Sequence, residues 1–148
     1  AEGNFIYDKD GKKYLDLISG ISVSNIGHCN PMVVKAVQEQ VEKYMHLMVY
    51  GEYIQSPQIN LSQALLAVLG KPFESVYLVN SGSEAIEGAL KTAKKFTGRQ
   101  EVISFKNAYH GSSHGALSLM GNEEFKGNFR PLLPGIKQIE FNDELRVL

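Results

Sequence analysis

Cysteine is nearly absent. Cys29 stands alone in 148 residues, so no disulfide can close within the chain, which fits a reducing compartment such as the cytoplasm. An excess of charge is missing too: 15 Lys+Arg face 16 Asp+Glu, a net charge of −1. No face is forced to be basic, which argues against nucleic acid or an anionic membrane as partner. No apolar run approaches the ~18 residues of a membrane-spanning helix; the longest patches are 64–69 and 76–79. The first residues, Ala1-Glu2-Gly3-Asn4, lack the basic-then-apolar order of a signal peptide. There is no initial Met, and 143–148 reads as the start of a helix, so the expectation is a chain cut at both ends. What is present, 43% hydrophobic and 21% charged residues, is the composition of a folded globular chain with a core.

Residues 4–17 read as a hairpin: Asn4–Tyr7, a turn over Asp8-Lys9-Asp10-Gly11, and Lys13–Leu17. Residues 18–30 are rich in Gly, Ser and Asn and read as loop. Asn30-Pro31 opens a helix, with Val33, Val37, Val41 and Tyr44 on one stripe. After a loop over 45–55, Ser56-Pro57 repeats the start signal. Leu61, Ala64, Leu65, Val68 and Leu69 form the next stripe, and Gly70 and Pro72 end it. The period then changes. Ser75–Val79 reads as a buried strand, Ser83–Phe96 as a helix closed by Gly98, and Glu101–Phe105 as a second strand. A loop over 107–115, a helical turn at 116–120 and a third strand at Gly135–Phe141 follow. Strands alternating with helices predict an α/β layer architecture with parallel strands over Ser75–Phe141. The one boundary falls near residue 50.

Ser81-Gly82-Ser83-Glu84-Ala85 lies at a strand-to-helix turn. A helix N-terminus has unpaired N–H groups and a partial positive charge, which suit a phosphate. The first four of these residues also spell a capping box, Ser81 with Glu84 three positions on. The two readings are compatible. A nucleotide P-loop is excluded, because Gly88 is followed by Ala89 and Leu90 before Lys91-Thr92. Lys91, Lys94 and Lys95 read as a solvated helix face. His110 and His114 are four apart, but Gly111, Ser112 and Ser113 disfavour a helix between them and no zincin Glu follows, so no metal pair is expected. His28 beside Cys29 and the isolated His46 carry no metal signal. Tyr109, after the second strand, either covers the core or lies over a flat ring.

Four segments in order carry a resemblance: 8–16 (DKDGKKYLD), 19–31 (SGISVSNIGHCNP), 80–85 (NSGSEA) and 109–111 (YHG). Together they resemble the class III pyridoxal-phosphate-dependent aminotransferases of the ornithine, acetylornithine and 4-aminobutyrate type. The resemblance implies the type I PLP-dependent transferase fold. Residues 1–50 would be the N-terminal segment of the small domain and its connecting helix, and 51–148 the first part of the large α/β domain. It implies pyridoxal 5'-phosphate as cofactor. Gly82 and Ser83 would give backbone and hydroxyl donors to its phosphate with Ser81 close by, Tyr109 would stack on the ring, and His110 would sit beside it. It implies an amine donor and a 2-oxo acid as substrates, and a homodimer with the active site at its interface. The family's Schiff-base lysine and ring-nitrogen carboxylate would lie past Leu148, so no catalytic residue is expected within this chain. Ser83 stands where Thr is common, and Ser112 where several acetylornithine-type members carry Arg. An aminomutase or decarboxylase on the same fold, or a non-catalytic phosphate-ligand module, remain the rival readings.

Overall fold

The computed structural model describes residues 1–48 and 51–142. The helix start expected at 143–148 lies outside them. The chain divides into two compact units, Ala1–Ile59 and a second beginning at Asn60.

In the first unit, β1 (Phe5–Tyr7) pairs antiparallel with β2 (Lys13–Leu15). Asp8 ties the turn between them: its carboxylate accepts from the Lys12 N–H at 2.9 Å and the Tyr14 hydroxyl at 2.9 Å. These donors hold its pKa below the usual carboxylate range, the Lys12 amide most of all. The expected loop at 18–30 contains α1 (Ser19–Ser22), a single turn of left-handed backbone with φ of 50°, 61°, 64° and 63° along its four residues. Only Gly20 takes this freely, and β-branched Ile21 is the costliest member. Asp16 offsets the strain. Its carboxylate accepts from the Ile18 and Ser19 N–H groups at 3.0 and 2.9 Å and meets His28 Nε2 at 2.7 Å. Gly27 has no room for a side chain, since a Cβ would lie 2.9 Å from the Gly3 carbonyl oxygen. Next, α2 (Pro31–Lys43) starts as expected, with Asn30 accepting from the Met32 N–H.

Helix α3 (Ser56–Leu69) begins at Ser56 itself, one residue earlier than an Ser56 N-cap requires, and Gly70 at φ 66° ends it. The stripes expected on α2 and α3 are uncovered among the described residues: Val37 is 56% and Val68 86% exposed.

The second unit holds α4 (Gly82–Thr97), β3 (Val102–Phe105), α5 (His114–Leu119), α6 (Glu123–Lys126) and β4 (Ile136–Ile139). Strands β3 and β4 are parallel, Val102 opposite Ile136 through Phe105 opposite Ile139. Ser75–Val79 is not a strand. It is free of ladder bonds among the described residues, because a strand needs a neighbour and neither β3 nor β4 pairs with it. The Tyr77 ring instead lies against α4 at Gly88, where an added Cβ would come within 3.1 Å of it. Helix α5 starts at His114, earlier than the turn expected at 116–120. It is the centre of the core, with Ala116, Leu117, Leu119 and Met120 all at most 6% exposed, joined by Leu90 and Ile139. Burying each large side chain stabilises by about 1.5–3 kcal/mol. Helix α6 was not expected. Buried Lys126 explains its position: the ammonium donates to the Met120 carbonyl at 2.6 Å, the electronegative end of α5, with Glu123 at 3.4 Å.

Candidate functional site

Helix α4 builds one wall of the site. Ser81 is its N-cap and accepts from the Glu84 N–H at 3.2 Å. Glu84 reaches back to the Asn80 N–H at 2.8 Å, so the capping box closes one residue earlier than the Ser81 amide. Gly98 at φ 69° ends the helix, and Lys94 and Lys95 occupy its last turn. Ser83, Glu87, Leu90 and Lys94 recur at four, three and four residues and are all at least half-buried, so Lys94 departs from the solvated face expected for it. The cap leaves the N–H groups of Gly82 and Ser83 without intrahelical partners. A Cβ on Gly82 would meet nothing within 4 Å, so the backbone there is open to a ligand.

Tyr109 to Ser112 form the facing wall. With Gly82, Ser83, Ala85 and Ile86 they line a cleft of about 580 Å³. That is within the range of small-ligand sites. Tyr109 stays 68% exposed and makes an edge contact with Phe125, at 6.2 Å between centroids and 83° between planes. The His110 Nε2 is buried and has no hydrogen-bond partner among the described residues. A buried polar atom at a cleft wall is costly unless something else meets it. His114 lies apart: it opens α5 and its Nε2–H donates to the Pro131 carbonyl at 2.9 Å. Among the described residues no cluster of His, Cys, Asp and Glu can hold a metal, and no helix is long and apolar enough to cross a membrane.

The structure thus brings Gly82, Ser83, Tyr109 and His110 to one cleft, with Ser81 at its edge as a helix cap. It assigns the Ser83 hydroxyl elsewhere. Ser83 Oγ lies 2.6 Å from Ser113 Oγ and accepts from the Ser113 N–H at 3.1 Å. Glu87, which the sequence reading missed, receives the Ser113 hydroxyl at 2.7 Å, the Gly115 N–H at 2.7 Å and the Ala116 N–H at 3.1 Å, all on one oxygen. These bonds, the Ser113 hydroxyl foremost, keep its pKa below the ordinary glutamate value despite partial burial. The available signal was the four-residue spacing from Ser83, which sets both side chains on one helix face. Its partner Ser113 lies 26 residues downstream and gives no such signal.

The model for the aminotransferase class-III family matches residues 1–147. An acetylornithine aminotransferase from Clostridium acetobutylicum is 40% identical over 149 residues, covering 97% of this chain and 38% of its own length. The chain therefore spans well under half of that relative. An (S)-enantioselective omega-transaminase from Thermomicrobium roseum superposes with a TM-score of 0.88 at 29% identity, over 95% of this chain and 33% of that one. A taurine:2-oxoglutarate aminotransferase from Bifidobacterium kashiwanohense, solved with PLP and glutamate, gives 0.85 at 32% identity, over 95% and 31%. The chain belongs to the class-III aminotransferases and carries part of the type I PLP transferase fold.

Proposed function

We propose that this chain is the N-terminal part of a pyridoxal-phosphate-dependent aminotransferase. That enzyme moves an amino group from an ornithine-, acetylornithine- or omega-amino-acid-like donor to a 2-oxo acid. One observation carries the reading: the open Gly82-Ser83 start of α4 and the exposed Tyr109 ring line the same cleft. The residues present fit pyridoxal phosphate, since unpaired N–H groups at a helix start suit its phosphate and an unburied aromatic suits its ring. When bound, the cofactor supplies the electron sink for a carbanion at the amino-bearing carbon.

This chain's own part is binding and orientation. The Gly82 and Ser83 N–H groups hold the phosphate, helped by the positive end of a sixteen-residue helix. Tyr109 covers the ring, and His110 lies beside it in the same cleft wall. Residues 1–50 read as the small-domain segment and 51–148 as the start of the large domain of a homodimer. The relatives' names span an acetylornithine aminotransferase, a taurine aminotransferase and an omega-transaminase, so the donor is assigned only as a class. The catalytic lysine is read as lying outside these residues, so the purified 148-residue chain is expected to turn over no amino donor; turnover would contradict this.

Titration of pyridoxal phosphate into apo variants of the intact protein, followed by cofactor absorbance, tests the site. Gly82→Val crowds the phosphate, and its affinity is expected to fall by 100-fold or more, on the order of the loss of two charge-assisted hydrogen bonds. Tyr109→Ala loses stacking of about 0.5–1.5 kcal/mol and is expected to fall roughly 2- to 13-fold. Wild-type affinity in Gly82→Val with a deficit in Tyr109→Ala would remove the phosphate from this turn.

A further inference from the structure

Two glycines mark places where α4 and the loop into α5 touch more closely than side chains allow. A Cβ on Gly111, whose φ is +121°, would lie 2.5 Å from Ser83 Oγ. A Cβ on Gly115 would overlap the Glu87 carboxylate. Between them Ser113 joins both: its N–H and hydroxyl meet Ser83, and its hydroxyl also meets Glu87. Ser113 is the N-cap of α5 yet makes no side-chain capping bond of its own. The carboxylate from α4 does that work, accepting from the Gly115 and Ala116 N–H groups.

The proton order follows from chemistry. An ionised carboxylate has no proton to give, so Ser113 O–H must donate to Glu87. The Ser113 oxygen is then the acceptor for Ser83 O–H, and Ser83 Oγ accepts the Ser113 N–H. Each hydroxyl proton is fixed, and that of Ser83 points along the chain to Glu87 and not toward a ligand. From the geometry we infer that Glu87 is a positioning residue: through Ser113 and Ser83 it clamps the Tyr109–Ser113 loop to the first turn of α4 and so sets the angle at which Tyr109 meets the cofactor ring. This rests on the reading of the cleft given above. It also reassigns the Ser83 contribution to the phosphate from its hydroxyl to its N–H.

The intact protein with Glu87→Ala, Glu87→Gln, Ser113→Ala and the Glu87→Ala/Ser113→Ala pair tests this by two readouts. The first is amide hydrogen exchange at 109–113 without cofactor. The second is visible circular dichroism at saturating pyridoxal phosphate, which reports ring orientation and is insensitive to stability once all sites are filled. Exchange is expected to rise about tenfold or more in Glu87→Ala and in Ser113→Ala, as for loss of one to two buried hydrogen bonds. The induced band is expected to lose at least half its amplitude in both. The double variant should be no worse than the worse single, because the groups act in series. Glu87→Gln, whose amide oxygen keeps an acceptor at the same place for the Ser113 hydroxyl, should keep most of the wild-type signal. Wild-type exchange and wild-type dichroism in Ser113→Ala would overturn the inference and leave Glu87 as a helix cap only. Should Glu87→Ala fail to fold, Ser113→Ala and Glu87→Gln decide alone, since Ser113→Ala leaves the Gly115 and Ala116 bonds intact. If Gly82→Val leaves cofactor affinity unchanged, the phosphate reading fails, while the exchange at 109–113 still settles the clamp.

Discussion

Helices α4 and α5 start in opposite ways. The α4 start is local: Ser81 and Glu84 cap it from within five residues, and two N–H groups stay open toward the cleft. The α5 start is borrowed: its cap is Glu87, from another helix, 28 residues before Gly115. A self-capped start can leave donors for a ligand. A start capped by a remote carboxylate spends its donors on holding two elements together. In this unit the first is suited to binding and the second to assembly, and the Ser83–Ser113 contact links them.

That contrast can be broken by removing each cap. Glu87→Ala leaves the Gly115 and Ala116 N–H groups without an acceptor beside a buried helix, and is expected to destabilise by about 3 kcal/mol. Ser81→Ala removes one exposed capping bond and is expected to cost about 1 kcal/mol. Urea unfolding of the two variants measures the difference; equal losses, or a larger loss for Ser81→Ala, would erase the distinction between the two starts.

Acid sharpens it further with a smaller effect. The folded-state pKa of Glu87 lies below its unfolded value, the Ser113 hydroxyl being the main cause. Its contribution is therefore complete above the unfolded value of about 4.3 and is lost as pH falls through the folded value. Unfolding midpoints between about pH 6 and 3 should fall less steeply in Glu87→Gln than in wild type. Parallel pH profiles would show that folding does not lower the Glu87 pKa.

The same contrast explains what could be read from the residues alone. The α4 start was legible because cap, glycine and acid lie within five positions, and the Asn30-Pro31 start of α2 was legible for the same reason. The parallel pair β3 and β4 followed from apolar runs of the right length. Ser75–Val79 has the same apolar run but no ladder, because propensity describes a segment and pairing requires a second one. The left-handed turn at Ser19–Ser22 was hidden because Ile21 argues against positive φ, and only the Asp16 bonds to Ile18 and Ser19 reveal what holds it. The cleft was legible as two separate motifs, at 81–83 and 109–110. The clamp between them was not, since Ser113 is one serine among several and Glu87 looks like an ordinary helix residue. Beyond the Ser83–Glu87 spacing, Gly111 and Gly115 were its trace, and their reason is steric, visible once Ser83 and Glu87 stand opposite them.

A crystal structure of the intact protein with pyridoxal phosphate tests the central claim most directly. The account predicts phosphate oxygens within about 3.2 Å of the Gly82 and Ser83 amide nitrogens, the Tyr109 ring against the pyridine, and the Ser83 hydroxyl still on Ser113. A phosphate bound away from the start of α4, with these two amides facing only solvent, would contradict it.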